Sequence, residues 1–188
     1  MNTNNTFIDV EKINNKICAI FSNKDLINEN ADYYNCVKDI IENEVVLKMK
    51  NYIQHGNTTC YQHCINVSYY SFLICKKLGL NKQNAARAGL LHDLFLYDWH
   101  TEKKTKKLFE KHGFTHPQIA LSNATKIFNL NEVEEDIILK HMWPLTMALP
   151  KYKESFIIIL VDKISCILEF MNYHFPLNIS STSKKYNK

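Results

Sequence analysis

Four glycines and four prolines are spread through 188 residues, and that scarcity constrains the fold more than any motif does. A β-rich chain of this length needs a turn roughly every ten residues, and most turns draw on Gly or Pro for their backbone angles. Long stretches here contain neither. The expectation is an all-α protein, a single-domain helical bundle. At 22.1 kDa the chain is large enough for one sizeable core, and its 46% hydrophobic and 22% charged residues are ordinary for a soluble globular domain. The domain is expected over 33–175, with 1–32 an N-terminal extension, helical and packed on the core, and 176–188 a polar, frayed tail.

Apolar periodicity and capping residues place the helices. Phe7, Ile13, Ile17 and Ile20 offer anchors for one helix in the extension. Val37, Ile40, Ile41, Val45 and Leu47 mark a stripe over 33–52. The run "QHGNTTCYQHC" breaks that pattern, with Gly56 as a turn residue. A long helix is expected over 59–78, lined on one face by Cys60, Cys64, Val67, Ser71 and Ile74 and closed by Gly79. Asn81 begins the next helix, which runs into His92 and Asp93. Pro117 reads as a first-turn residue, with Thr115 or His116 as the cap. Asn131 and Glu134 fit an N-cap with an acidic first turn, for a helix reaching His141 and ending by Pro144. The last long helix, over 152–171, carries "FIIILVDKISCILEF".

Several function classes are set aside by composition. A formal charge of +4 is modest. The densest basic run, Lys103, Lys104, Lys106 and Lys107, lacks the interleaved aromatics of a nucleic-acid surface, so no nucleic-acid partner is expected. That run can still draw in an anionic substrate. No apolar window reaches the length of a membrane span or a signal-peptide core, and "FIIILV" reads as a short buried segment; a soluble, cytoplasmic protein is expected. The six cysteines show no disulfide framework. Cys60 and Cys64 stand one helical turn apart and read as buried small hydrophobes, not as half of a zinc site.

The chemistry concentrates where histidines and aspartates meet those helices. His63 falls in the first turn of one helix, His92 and Asp93 end another, His116 starts a third and His141 ends a fourth. Asp162 stands mid-helix among apolar residues, where an ionised carboxylate needs a cation or a metal beside it. Any one of these histidines alone reads more readily as an ordinary hydrogen-bonded side chain. Imidazole and carboxylate together suit borderline divalent metals such as iron, manganese or zinc. Four histidines and two aspartates from five helices could surround two ions with one carboxylate between them. Tyr97, Asp98, Trp99 and His100 follow the His-Asp pair and could line a pocket mouth, with Asp98 or His100 protonating a leaving group. Packing on the core competes with base stacking for Tyr97 and Trp99. Trp143 and Pro144 could shape the substrate side. Arg87 reads as a surface or carboxylate partner. His55, just before Gly56, is either a cap or a neighbour of the site.

The ordered series His63, His92-Asp93 after "ARAGLL", and Asp162 in a late apolar helix resembles the HD-domain superfamily of metal-dependent phosphohydrolases. The resemblance spans about 52–171 and extends to "HCINVSYYSFLICKKLGL", similar to the family's first helix. It implies that His63, His92, Asp93 and Asp162 hold a first ion. Asp93 would bridge to a second ion completed by His116 and His141, as in members with two metals. The implied cofactors are two divalent ions, iron or manganese first and zinc after them. The catalytic residue that the resemblance implies is Asp93; Asp98 and His100 join it as candidates from the residues that follow the His-Asp pair. The implied activity is hydrolysis of a small phosphomonoester or nucleotide by a metal-activated hydroxide. Di-iron oxygenases share the six-ligand set, so an oxygenase is the alternative, with a non-catalytic metal- or nucleotide-binding module after it. Cyclic-dinucleotide enzymes of the superfamily carry a Gly-Lys pair one residue beyond the HD dipeptide. Phe95 and Leu96 fill those slots here, which argues against that substrate. The expected partner is a small phosphorylated molecule, a nucleotide among the candidates, with a homodimer left open.

Overall fold

The computed structural model describes residues 23–101 and 110–174, and it is a bundle of helices with one small hairpin. The described helices are α1 (Asn23–Ile41), α2 (Glu44–Leu47), α3 (Cys60–Leu78), α4 (Lys82–Leu91), α5 (His112–Thr125), α6 (Glu132–Lys140) and α7 (Lys153–His174). Short 3-10 turns cover Lys48–Asn51 and Trp99–Thr101. Strands β1 (Ile53–His55) and β2 (Thr58–Thr59) pair antiparallel around Gly56, whose φ of 59° suits a residue without a Cβ. Helix α1 runs continuously through the expected boundary at 32 and 33. The expected anchors Phe7, Ile13, Ile17 and Ile20, the Lys103–Lys107 run and the tail beyond 175 lie outside the described residues.

Helix α3 is the axis. Thr59 caps its start by accepting a hydrogen bond from the Gln62 amide at 3.2 Å, and Gly79 closes it in the left-handed conformation at φ 67°. The Leu80 amide then donates back to the Cys75 carbonyl at 2.9 Å. Residues on nearly every side of α3 are buried, among them Tyr61, Ile65, Val67, Tyr69 and Phe72, because other elements surround it. Helix α4 crosses it closely on its small residues. A Cβ on Gly89 would stand 2.9 Å from the Ser68 Cα and 3.0 Å from Ile158, so that crossing admits no larger side chain. Ser68 donates to the Ala86 carbonyl at 2.5 Å and accepts from the Tyr33 hydroxyl at 2.9 Å, linking α1, α3 and α4. Arg87 donates to Asp39 at 2.6 Å and to Glu134 at 3.1 Å, linking α1, α4 and α6.

The remaining helices follow their caps, with one correction. Helix α6 opens on a full capping box: Asn131 accepts from the Glu134 amide at 3.1 Å, and Glu134 accepts from the Asn131 amide at 3.0 Å. Helix α5 begins a turn earlier than Pro117 suggests. Lys111 is its N-cap, so His116 is an interior residue and not the cap, and Pro117 lies in the second turn. The first-turn amides need no helical partner, so Gly113 did not stop the helix there. Pro117 gives up only one hydrogen bond just beyond them.

Asp136 joins α6 to α7. It accepts from the Ser155 hydroxyl at 2.7 Å and the Lys151 amide at 3.0 Å, and pairs with Lys140 at 2.5 Å. The run "FIIILV" is buried on one face only. Ile158, Ile159 and Val161 are inside, whereas Phe156 and Leu160 lie outside with Ile164, Ile167 and Leu168 further along α7. A 3.6-residue period turns part of any six-residue run away from the core. No helix among the described residues is long and apolar enough to cross a membrane.

Two outcomes test this architecture. Burial raises the Asp136 pKa, but Lys140, Ser155 and the Lys151 amide outweigh it and leave the carboxyl below its usual 3.8. A carboxyl held low in the folded state stabilises above its unfolded pKa and loses that contribution as pH falls through the folded value. Asp136→Ala should therefore cost about 2 kcal/mol at neutral pH. In urea unfolding the gap should narrow at pH below the unfolded value, and an undiminished gap in acid would count against the bridge. Gly89→Ala should cost about 1–3 kcal/mol by forcing α3 and α4 apart; an unchanged midpoint would contradict the close crossing.

Candidate metal centre

The six residues picked out by the spacing converge. His63 comes from the first turn of α3, His92 and Asp93 from the end of α4, His116 from α5, His141 from the end of α6 and Asp162 from the middle of α7. All six side chains are buried. Three helix ends and two helix interiors therefore aim polar groups into one region of an otherwise apolar core.

Asp93 stands between two sets of groups. Its Oδ2 faces His92 Nε2 at 3.5 Å and His63 Nε2 at 4.0 Å, and Asp162 Oδ1 lies 3.1 Å from His63 Nε2 and 3.7 Å from His92 Nε2. Its Oδ1 faces His116 Nε2 at 3.2 Å and His141 Nε2 at 3.5 Å, and those two nitrogens stand 2.7 Å apart. Around a divalent ion with ligands at about 2.1 Å, neighbouring ligand atoms are separated by about 3.0 Å at right angles and about 3.4 Å at tetrahedral angles. Both sets fall in that neighbourhood. His63, His92 and Asp93 form one group able to hold an ion; Asp93, His116 and His141 form another.

The tautomers support the same chemistry. His92 Nδ1 donates to the Gly89 carbonyl at 2.8 Å, His116 Nδ1 to the His112 carbonyl at 2.7 Å and His141 Nδ1 to the Ile138 carbonyl at 2.8 Å. A carbonyl only accepts, so in each neutral ring Nε2 keeps its lone pair, turned toward Asp93. His63 Nδ1 instead meets the Glu169 carboxylate at 3.0 Å. His92 Nε2 and Asp93 Oδ1 are buried and have no hydrogen-bond partner. Two orphaned atoms at the centre of a packed core, one on each side of the cluster, are accounted for by a cation on each side. The donor set fits divalent metal ions.

Electrostatics in the metal-free chain follow from burial and proximity. Burial lowers the pKa values of His63 and His92. Asp162 and Glu169 beside His63, and Asp93 beside His92, outweigh it and hold both well above the usual imidazole range. Asp93 and Asp162 are raised by burial but held below the carboxylate range by the surrounding histidines. His141 has burial and its neighbours His116 and His92 all acting in one direction, which pushes it down to about 3.

A cleft of about 990 Å³ reaches this cluster. Its lining includes Asp93, His116, His141 and Asp162, together with Trp99, the cations Lys111 and Lys163, and the apolar Met142, Leu145 and Ile167. Lys163, next to Asp162 in sequence, thus faces the cleft. Asp98 and His100 are not brought into it. Both are exposed, with His100 Nδ1 3.1 Å from Asp98 Oδ1. Trp99 stacks on His100 at 3.9 Å and on His112 at 5.1 Å. Trp143 packs on Phe156 and only Pro144 of that pair lines the cleft.

Four further residues stand at the site without a signal read from the spacing. Gln54 Nε2 donates to Asp93 Oδ2 at 2.6 Å, from the strand where only His55 drew attention. Glu169 follows Asp162 by two helical turns, a spacing that was available to read. His112 precedes His116 by one turn, stacks on it at 4.4 Å and meets the Tyr97 hydroxyl at 2.9 Å. Lys111 just precedes α5. The hairpin role of Gln54 carried no periodic signal.

The family model described as HD domain matches residues 60–166, more than half of the chain. No curated protein and no solved structure matches it.

Metal binding should release protons, since His63 and His92 hold theirs in the metal-free chain and a metal needs the bare Nε2. Affinity for a divalent ion should then rise with pH through neutrality, and the calorimetric heat should depend on the ionisation enthalpy of the buffer. Glu169→Gln should weaken the ion by about 10–100-fold, as loss of a histidine's carboxylate partner does elsewhere. Binding independent of both pH and buffer would refute the ligand assignment.

Proposed function

We propose a function from one premise: the chain belongs to the HD-domain family. The reading that its geometry supports best is a metal-dependent phosphohydrolase acting on a small phosphomonoester or nucleotide. One observation carries it: the two oxygens of a single buried carboxylate, Asp93, face two separate histidine groups. That is the arrangement a bridged pair of ions requires. Two bound divalent ions would supply Lewis acidity and a water acidic enough to act as a nucleophile near neutral pH.

The chain's own residues would do the rest. Asp93 would serve both positions through its two oxygens, and Gln54 holds one of those oxygens in place. The second group offers only Asp93, His116 and His141, so its coordination is less filled by protein and it faces the cleft. Lys111 and Lys163, both on the cleft wall, would neutralise phosphate oxygens. Met142, Leu145 and Ile167 offer an apolar wall to the organic part of the substrate, and the volume suits a molecule of nucleotide size. For leaving-group protonation the candidate shifts from Asp98 and His100, which stand outside the cleft, to His112, which lines it.

Asp93→Ala should lose both ions and all phosphate release, since each group depends on that carboxylate. The measurement is elemental analysis of anaerobically purified protein, paired with a panel of phosphomonoesters, phosphodiesters and nucleotides. Two equivalents of metal and phosphate release in the unaltered chain, both absent in the variant, are the expected result. Oxygen consumption with an organic substrate and no phosphate release would sink the hydrolase reading, as would full activity in Asp93→Ala.

A further inference from the structure

Cys166 is the one cysteine among the described residues that is not fully buried, and it lies on the wall of the cleft. It follows Asp162 by one turn of α7, so both side chains leave the helix on the same face. Its Sγ lies 3.6 Å from Asp162 Oδ1 and 3.1 Å from His55 Nε2. His55, His63 and Cys166 present ligand atoms that lie within 4.8 Å of one another. His63 is also a member of the first metal group, beside His92, whose Nε2 is buried and without a hydrogen-bond partner.

We propose that Cys166 is a thiolate ligand of the first ion, alongside His63, His92, Asp93 and Asp162. This inference rests on the metal-site reading above. The distance allows it: an ion about 2.3 Å from a sulfur and about 2.1 Å from a carboxylate oxygen separates the two by about 3.1 Å at a right angle and about 3.8 Å at 120°, the range open to five ligands. In the metal-free chain the Cys166 thiol donates to Asp162 Oδ1, and His55 Nε2 stands beside the sulfur. On binding, the S–H bond breaks, a sulfur–metal bond forms, and the proton leaves to solvent through the cleft that both side chains line.

The ligand changes what the first position selects. Oxygen and imidazole alone are compatible with manganese, whereas a thiolate is a soft donor that favours zinc or ferrous iron. It also fills the first ion's coordination with protein. Open positions for substrate are then concentrated at the second ion, where three protein groups converge.

Cobalt(II) titration of metal-stripped full-length protein tests this without reference to turnover. A sulfur-to-cobalt charge-transfer band in the near ultraviolet should appear as the first equivalent binds. It should vanish in Cys166→Ser and in Cys166→Ala while both variants still take up cobalt, as followed by the weaker visible bands. Zinc affinity should fall in Cys166→Ser by a larger factor than manganese affinity. Cobalt uptake with no charge-transfer band, a band surviving in both variants, or equal losses for zinc and manganese would overturn the thiolate assignment and leave the metal site standing. No cobalt uptake by the unaltered chain would overturn the metal site itself, and the thiolate with it.

Discussion

Asp93 is a carboxylate 2% exposed to solvent, among the most buried charges of the described residues. Taking such a group out of water costs several kcal/mol unless opposite charge and hydrogen bonds surround it. Four histidines and Gln54 converge on it, from four helices and the hairpin. The bundle can be understood as the set of constraints that brings those five groups to one point. The short hairpin, the only β structure among the described residues, contributes Gln54 and His55.

The precision of that convergence comes from backbone, not from flexible side chains. Three of the histidines hydrogen-bond through Nδ1 to a carbonyl three or four residues earlier in their own helix. Each ring is therefore locked to a helix end or interior, and the position of Nε2 is the position of the helix. The Gly89 carbonyl orients His92, and the missing Cβ of the same glycine lets α4 approach α3, which carries His63. A single residue thus sets both the packing distance and the direction of a ligand. Asp162 and Glu169 reach His63 from opposite ring edges, one facing Nε2 and the other Nδ1, so α7 holds that ring without any carbonyl partner.

Much of this was legible in the sequence for definite reasons. Thr59, Gly79, Asn81 and Asn131 are capping residues whose chemistry is local, so the helices they bound were placed to within a residue or two. Asp162 stood out because an aspartate amid Ile, Leu and Val has few explanations. Contacts between distant segments left no such trace. Gln54 lies in a strand too short for periodicity, and the Cys166–His55 contact joins residues 111 apart. Asp98 and His100 illustrate the opposite error. Adjacency to a His-Asp pair suggested the pocket, but the chain turns outward after Tyr97, and the two pair with each other at the surface. The apolar outer face of α7 likewise blurred the inward stripe, making "FIIILV" read as wholly buried.

The same groups serve two electrostatic economies. In the metal-free chain, raised pKa values at His63 and His92 supply protons that balance Asp93, Asp162 and Glu169. Bound divalent ions would supply that positive charge in their place, and the protons would leave. His141 does not join the exchange: its pKa of about 3 keeps it neutral and ready as a lone-pair donor across the physiological range. The two halves of the cluster are therefore unlike before any ion arrives. The half around His63 is buttressed by Glu169 and bordered by Cys166, and it must shed protons to bind. The half around His141 is preformed and opens on the cleft. Lys111 and Lys163 line the same cleft, so positive charge borders the opening onto the cluster.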